Sequence, residues 1–302
     1  LTLIEQAPYG IIGAITPSTN PSCTIICNSI GMLAAGNGVL FNPHPHAKRI
    51  SAYAVDLVNR AVLAAGGPEN IVATVKNPTM ESSNMMVNHP SVRMLVATGG
   101  PGVVKMLLSS GKKAIGAGAG NPPVVVDDTA DIPKAAKDII DGCTFDNNLP
   151  CIAEKECFAV SSVADELIHY MLQNGAYMIN SEQVKMLEKV VLQEVPGKNP
   201  GDAPKKVINK NWVGRDAKKI LAQIGVNASD DIRCIICETE FSQPFVQTEL
   251  MMPILPIVRC ACFEDAMEMA VKAEHGNRHS AHLHSKNVDH MTSYAKAVCT
   301  TI

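Results

Sequence analysis

The chain has 302 residues, of which 46% are hydrophobic and 18% charged, a composition that favours a folded protein long enough for two domains. The net charge of -3 and the lack of any Lys/Arg block argue against nucleic acid or an anionic membrane as a partner. Because the best apolar run, from Ile25 to Gly36, is broken by Asn28, the sequence predicts no membrane-spanning helix.

Apolar strings alternate with helical patterns through the first half of the chain, which is typical of an α/β fold. The predicted strands are residues 11–16, 39–41, 71–75, 92–98 and 113–116. Asn20 and Pro21 indicate the start of a first helix and Gly36 its end, a second helix is expected over about residues 51–65, and a third follows Gly102. Since each strand leads through a loop into a helix, the loops TPSTNP, FNPHPH and ATGGPG are expected at the ligand-binding edge of a parallel sheet.

The same pattern restarts after Gly120, where we place a boundary between two domains, residues 1–120 and 121–302. A strand is expected at PPVVVDD, and Ser162 with Asp165 forms a candidate capping box for a helix. The remaining predicted elements are a helix over residues 131–140, a surface loop over 196–204, a helix near 216–224 and strands over 232–237 and 254–260.

The ten cysteines lie mostly in apolar strings such as CTIIC, RCIIC and RCAC, which predicts buried thiols in a reducing cytoplasm. Cys234 and Cys237 have CxxC spacing, but a zinc site would need a second pair of ligands. The candidates for that pair are Cys260 with Cys262, and His279, His282 and His284. We prefer a buried strand at DIRCIICETE, and so predict no metal site.

Cys151 differs from most of the other cysteines because it lies in FDNNLPCIAEKE, a polar loop. Exposure and polarity favour a reactive thiolate, so Cys151 is the best candidate nucleophile, with an incidental loop cysteine as the alternative. Asn147 and Asn148 are candidate amide donors to an oxyanion.

Two glycine-rich strings are candidate ligand loops. ATGGPG follows a predicted strand and opens a helix, so its N–H groups could face a pyrophosphate, although it does not match GxGxxG and a structural turn would look the same. GAGAGNPP is rich in small residues, which suggests close approach of a ligand or of another part of the backbone.

Seven strings together occur in the order and approximate spacing found in CoA-acylating aldehyde dehydrogenases. They are APYGIIGAITPSTNP, AAGNGVLFNPHPHAK, ATGGPGVV, GAGAGNPPVVVDD, FDNNLPCIAEKE, TELMMPILP and EHGNRHSAHLHSKN. The chain resembles this family over essentially its whole length, above all the propionaldehyde and acetaldehyde dehydrogenases of bacterial microcompartments, and next the aldehyde dehydrogenase half of bifunctional aldehyde-alcohol dehydrogenases.

The resemblance implies an aldehyde dehydrogenase-like α/β fold. Residues 1–120 would be part of a Rossmann-type, parallel-sheet domain that binds a nicotinamide cofactor, and residues 121–302 an α/β catalytic domain. The N-terminal segment and the C-terminal arm of full-length relatives are missing, and the chain does not begin with Met, so we expect an internal fragment.

The resemblance also implies roles for individual residues. Cys151 matches the nucleophile, its own N–H contributes to the oxyanion hole, and Thr19 or Asn20 supplies the other donor. The residues matched to cofactor binding are Thr98, Gly99, Gly100 and Gly102 at the pyrophosphate, Asn42 and His44 in the loop that meets the adenosine ribose, and Glu249 at the nicotinamide ribose. Without the resemblance, a solvated carboxylate at a strand edge would be the preferred interpretation of Glu249.

The implied reaction oxidises a short-chain aldehyde with NAD or NADP and passes the acyl group to coenzyme A. GAGAGNPP has no carboxylate where hydrolytic relatives carry a catalytic glutamate, so coenzyme A rather than water is expected to release the acyl group. Glu154 and Glu156 are expected to be salt-bridged or solvated. We expect a homo-oligomer in the cytoplasm or in a microcompartment lumen, with shell proteins as further partners.

Three other functions remain open at this stage. A reductase of acyl phosphates, such as the relatives of glutamyl phosphate reductase, would share the fold. A non-catalytic assembly protein is disfavoured by the presence of both Cys151 and Glu249. A metal-binding module is the third alternative.

Overall fold

The computed structural model describes residues 7–196 and 204–302, which belong to two compact units, Leu1–Ala119 and Gly120–Ile302. The predicted surface loop over residues 196–204 lies almost entirely outside the described residues. Within the described ranges, no helix combines the length and apolar character needed to cross a membrane.

The first unit contains a five-stranded, all-parallel sheet in the order β3-β2-β1-β4-β5. Its strands are β1 (Ile11–Thr16), β2 (Gly38–Pro43), β3 (Val72–Thr74), β4 (Val92–Thr98) and β5 (Lys113–Ala117). Its helices are α1 (Pro21–Ala34), α2 (Lys48–Ala64), α3 (Met80–Asn88) and α4 (Pro101–Leu108). This is the strand order of a doubly wound nucleotide-binding sheet, in which the order reverses between β1 and β4.

Alternate residues of β1 enter two separate cores on the two faces of this sheet. Ala14 packs in a cluster with Ile25 of α1, whereas Ile15 packs in the opposite cluster with Leu107 of α4. Strands buried on both faces have near-continuous apolar runs, which is why β1 and β4 have the predicted bounds. Helix α3 was not predicted, because MESSNMMVN has only a weak apolar stripe. In the structure, a capping box between Thr79 and Ser82 closes its first turn.

The second unit contains a six-stranded, all-parallel sheet in the order β13-β6-β7-β12-β11-β8. The strands of this unit are β6 (Pro123–Val126), β7 (Glu156–Val160), β8 (Ala176–Met178), β9 (Leu192–Val195), β10 (Lys205–Ile208), β11 (Cys234–Glu238), β12 (Ile254–Cys260) and β13 (His282–His284). The helices are α5 (Ile132–Thr144), α6 (Ser161–Gln173), α7 (Ser181–Val191), α8 (Ala217–Ala222), α9 (Phe263–Ala273) and α10 (Val288–Val298). Strands β9 and β10 form a separate antiparallel pair. The predicted α/β class with parallel sheets is confirmed.

The capping box predicted from Ser162 and Asp165 is wrong. Helix α6 begins at Ser161 after Val160, and no side chain caps its first turn. Asp165 instead forms an ion pair with Arg259 of β12. The tertiary partner therefore takes the carboxylate that the local pattern assigned to the helix terminus.

Candidate active site

Cys151 lies in the segment between α5 and β7, where three consecutive residues take the left-handed backbone conformation. Asp146, Asn147 and Asn148 have φ values of 49°, 52° and 64°. Asn and Asp tolerate this conformation better than other residues that have a side chain, yet it costs free energy that surrounding contacts must offset. The FDNN sequence thus supplies the residue types that the turn requires before the chain reaches Cys151.

The segments that enter four neighbouring parallel strands gather around Cys151. The order β13-β6-β7-β12 places side by side the segments that contain His279, Gly120, Cys151 and Glu249, because parallel strands begin at the same edge of a sheet. A Cβ atom on Gly120 would lie 3.1 Å from the carbonyl oxygen of Cys151 and 3.1 Å from Cγ of His279, so only glycine fits there without a shift of its neighbours. At Gly120 the close approach expected from GAGAGNPP is confirmed, and the neighbours are the backbone of Cys151 and the side chain of His279.

Lys155, which the sequence analysis did not single out, is hydrogen-bonded to this loop through its side chain. Its side chain is buried, at 2% exposure, and Nζ lies 2.9 Å from O of Asn148, 2.7 Å from Oδ1 of Asn148 and 3.0 Å from O of Pro150. An ammonium group has three N–H donors, so all three are used. The backbone N–H of Lys155 donates to O of Pro122 at 2.9 Å, which ties the loop to the segment that enters β6.

The side-chain amides of Asn147 and Asn148 are both fully engaged. Asn148 Nδ2 donates to the carbonyl oxygens of Cys143, at 2.8 Å, and Glu154, at 3.0 Å. Asn147 Nδ2 donates to Asp216 Oδ1 at 2.9 Å and to a carbonyl oxygen at 3.1 Å. An amide group has only two hydrogens. The expectation that one of this pair donates to an oxyanion is therefore wrong.

Two opposite charges act on the Cys151 thiol. Cys151 is half-buried, and this burial is the main cause that raises its pKa above the ordinary value of a thiol. The Glu249 carboxylate raises the pKa further, whereas the N–H of Cys151 itself and the Lys155 ammonium lower it. The reactivity of the thiol therefore depends on both neighbours, because the thiolate is the nucleophilic form.

Glu249 is not a solvated carboxylate at a strand edge. It lies in the segment before β12, where it is partly buried and accepts a hydrogen bond from the backbone N–H of Gly120. Burial raises its pKa, and the Lys155 ammonium opposes that effect. Its predicted contact with a nicotinamide ribose stays a prediction.

Glu154 and Glu156 are buried, so the expectation that they are solvated is wrong. Glu154 is 7% exposed, and its Oε1 lies 3.9 Å from Nδ1 of His282. Glu154 therefore has a candidate partner for the expected salt bridge. Glu156 is fully buried and accepts a hydrogen bond from Nδ2 of Asn121 at 3.1 Å. Burial raises the pKa of both carboxyl groups, and that of Glu156 lies well above the ordinary value.

The other cysteines divide into buried and exposed groups. The buried thiols are Cys143, Cys157, Cys234, Cys237 and Cys260, and the exposed ones are Cys23, Cys27, Cys262 and Cys299. The prediction of buried thiols is thus wrong for the CTIIC pair, because the two cysteines share the exposed side of α1, and it is wrong for Cys262 of RCAC, which is exposed just before α9. Burial raises the pKa of both Cys237 and Cys260 to about 12, which makes these thiols unreactive at neutral pH.

The CxxC pair lies in a buried strand, as predicted, and its thiols enter different cores. Cys234 belongs to the cluster with α5 and α6, whereas Cys237 belongs to the cluster with α7 and α8. Two side chains on opposite faces of a sheet cannot bind one metal ion. Over residues 7–196 and 204–302, no group of three or more His, Cys, Asp or Glu side chains has the geometry of a metal site.

In the first unit, the matched residues lie at the carboxyl ends of β1, β2 and β4. Asn20 is the N-cap residue of α1, with Pro21 in the first turn, but its side chain makes no capping hydrogen bond. Thr19 lies one residue earlier in the loop. The role of either residue as the donor to the oxyanion stays a prediction.

The ATGGPG loop opens α4, and its glycines leave room for a ligand. A Cβ atom on Gly99, Gly100 or Gly102 would meet no atom within 4 Å. The first-turn N–H groups of an α-helix have no partner within the helix and favour an anion. The N–H of Gly99 donates to O of Ala117 and that of Val103 to O of Gly100, which leaves Gly100 and Gly102 as the candidate backbone donors. They lie beside Thr98, at the point where the strand order reverses, and their contact with a pyrophosphate stays a prediction.

Asn42 and His44 have local partners. Asn42 is 2% exposed, and its amide exchanges hydrogen bonds with the hydroxyls of Ser82 and Ser83 in α3. Nδ1 of His44 accepts a hydrogen bond from the backbone N–H of His46 at 3.2 Å. The hydrogen bonds of Asn42 connect β2 to α3. The contacts of both residues with an adenosine ribose stay predictions.

The aldehyde dehydrogenase family model matches residues 1–184. The chain is 48% identical to the acetaldehyde dehydrogenase (acetylating) EutE of Salmonella typhimurium, and the match covers 100% of this chain and 64% of that protein. It is 43% identical to the propanal dehydrogenase (CoA-propanoylating) of Citrobacter freundii, covering 100% of this chain and 63% of that protein. The chain thus spans less than two thirds of the length of these relatives.

The solved structures of two propionaldehyde dehydrogenases are also similar to this chain. A propionaldehyde dehydrogenase from the Clostridium phytofermentans fucose utilisation bacterial microcompartment has 57% identity and a TM-score of 0.90, covering 98% of this chain and 66% of that one. A Rhodopseudomonas palustris propionaldehyde dehydrogenase with bound propionyl-CoA has 53% identity and a TM-score of 0.90, covering 98% of this chain and 64% of that one.

The buried loop network predicts unequal effects of two neighbouring substitutions. Asn147→Gly and Asn148→Gly both preserve the left-handed backbone, because glycine adopts it without strain. Asn148→Gly leaves two carbonyl oxygens and the Lys155 ammonium with fewer partners, so it should lower the free energy of unfolding by about 2–4 kcal/mol. Asn147→Gly, at a partly exposed site, should cost less than about 1 kcal/mol. Equal losses in urea unfolding would contradict the account of the loop.

The charge of Glu249 predicts the pH dependence of Cys151. Because the carboxylate raises the pKa of the thiol, Glu249→Gln should lower that pKa and increase the thiolate fraction at neutral pH. Iodoacetamide labelling of Cys151 at pH 7, followed by mass spectrometry of its peptide, should become faster by severalfold. Labelling of the exposed Cys299 serves as the control and should not change. Slower or unchanged labelling of Cys151 would contradict the assigned electrostatics.

Proposed function

Because this chain belongs to the aldehyde dehydrogenase family, we propose that it catalyses the CoA-acylating oxidation of a short-chain aldehyde to an acyl-CoA, with NAD or NADP as the oxidant. Residues 1–120 would bind the nicotinamide cofactor and residues 121–302 would carry the nucleophile. The observation that carries the proposal is the Cys151 loop, in which a half-buried thiol lies next to an ammonium group and a carboxylate.

The first step is attack of the Cys151 thiolate on the aldehyde carbonyl carbon. The new C–S bond leaves the negative charge on the carbonyl oxygen. There the N–H of Cys151 would stabilise it, together with either the amide of Asn20 or the hydroxyl of Thr19. Loss of hydride from this carbon produces a thioester on Cys151. Nothing leaves the enzyme at this stage except the reduced cofactor.

The resemblance assigns cofactor-binding residues in each unit. Thr98, Gly99, Gly100 and Gly102 would hold the pyrophosphate, and Glu249 would accept hydrogen bonds from the nicotinamide ribose. When bound, the nicotinamide ring supplies the hydride acceptor. Asn42 and His44, in place of the lysine and glutamate usual in hydrolytic relatives, leave NAD and NADP as alternatives.

Coenzyme A would release the acyl group, because the loop offers no free base for water. GAGAGNPP contains no carboxylate, Glu156 is fully buried against Asn121, and Glu154 lies beside His282. Glu249 accepts a hydrogen bond from the backbone N–H of Gly120, and its carboxylate acts on Cys151. The CoA thiolate then attacks the thioester carbon, the C–S bond to Cys151 breaks, and the Cys151 thiolate is regenerated.

The similar proteins support the substrate class. Their names specify acetaldehyde and propanal, and one solved relative holds propionyl-CoA. By the same likeness, we extend the proposal to a homo-oligomer in the cytoplasm or in a microcompartment lumen in contact with shell proteins. An acyl-phosphate reductase is the second candidate and would need phosphate instead of coenzyme A.

Rapid mixing tests whether coenzyme A or water releases the acyl group. With propionaldehyde and oxidised cofactor but no CoA, we expect a burst of about one reduced cofactor per active site, then very slow turnover that CoA restores. Cys151→Ala should abolish the burst, whereas Cys262→Ala, at an exposed thiol of the same unit, should retain it. Rapid acid formation without CoA would place the protein in the hydrolytic class, and phosphate-dependent turnover would favour the reductase.

A further inference from the structure

Lys155 is a buried cation whose three side-chain hydrogen bonds all go to the Cys151 loop. Burial of an ammonium group is unfavourable unless all of its donors are hydrogen-bonded. Here the three acceptors are O and Oδ1 of Asn148 and O of Pro150, the two residues that bracket Leu149 before the nucleophile. The cation is therefore stabilised by the loop that it holds.

The loop needs such a tie because its backbone is strained. Asn148, at φ 64°, is the last of the three left-handed residues, and it is 1% exposed. Its side chain donates to the backbone at the end of α5 and to O of Glu154 while it accepts from Lys155. Without the ammonium group, Oδ1 and O of Asn148 would lose the Lys155 donor, and O of Pro150 would keep only the backbone N–H of Ala153.

Lys155 also lies in a group of titratable side chains contributed by several elements. They are Cys143 from α5, Cys151 and Glu154 from the loop, Glu156 from β7, Glu249 from the segment before β12 and His279 from the segment before β13. The Glu249 carboxylate raises the pKa of the Cys151 thiol, whereas the Lys155 ammonium group lowers it. Burial lowers the pKa of Lys155 itself, whereas the acidic groups around it, Glu249 first, raise that pKa and favour the charged form. The positive charge opposes the carboxylate when the thiol loses its proton.

We propose that Lys155 is a positioning residue for Cys151: its ammonium group fixes the loop from Asn148 to Pro150 and keeps a positive charge beside the thiolate, an inference that rests on the thioester function proposed above. The residue contacts no substrate in this role. It acts through the conformation and the charge state of the nucleophile.

The test is the pH dependence of iodoacetamide labelling at Cys151, resolved by mass spectrometry of its peptide. Lys155→Met removes the charge with little change in volume, so the midpoint of labelling should rise by about one pH unit, which slows labelling at pH 7 about tenfold. Lys286→Met, at an exposed site of the same unit, should leave the midpoint unchanged. Cys262 and Cys299 in the same sample serve as internal controls.

Lys155→Gln provides a second variant, because its amide keeps two donors but no charge. We expect its midpoint to rise as in Lys155→Met, with a smaller loss of thermal stability. An unchanged midpoint in a folded variant would overturn the proposal, and so would loss of the fold in both variants, which would make Lys155 a purely structural residue. Labelling requires neither aldehyde, cofactor nor CoA, so its outcome is independent of whether the proposed reaction occurs.

Discussion

The hydrogen bonds from the buried Lys155 ammonium to the Cys151 loop are the interaction on which the candidate site depends. The cation needs three oxygen atoms to offset the loss of water, and the left-handed turn at Asn148 presents two of them while Pro150 presents the third. The hydrogen bonds from the cation also stabilise this turn, because its left-handed backbone conformation is unfavourable for residues other than glycine. Each feature stabilises the other, and both belong to the loop that carries Cys151.

The two sheets use opposite edges for their candidate functional residues. In the first unit these residues follow β1, β2 and β4, as expected for a doubly wound sheet. In the second unit they precede β6, β7, β12 and β13, so Cys151 lies at the amino edge. Close packing at that edge explains Gly120, where a side chain would collide with the Cys151 carbonyl group. Within the glycine string, Gly120 therefore accommodates the nucleophile loop because it has no side chain.

The sequence predicted the α/β class and the bounds of β1, β4 and β12, because strands buried on both faces have apolar runs that local patterns reveal. Cys151 stood out by its polar surroundings. Lys155 did not, because a lysine between two glutamates looks like a solvated residue unless its tertiary partners are known. The engagement of Asn147 was missed for the same reason, since its acceptors lie about 70 positions away along the chain. That of Asn148 was missed because the fold of the loop itself brings its acceptors, O of Cys143 and O of Glu154, to the amide.

The most direct test of the central claim is to identify the acyl carrier. The enzyme is mixed with propionaldehyde and oxidised nicotinamide cofactor without CoA, quenched in acid, digested and analysed by mass spectrometry. The account predicts one propionyl group on the peptide that contains Cys151, and its loss when CoA is added before the quench. Reduced cofactor formed while Cys151 remains unmodified, or a propionyl group on another thiol, would contradict it.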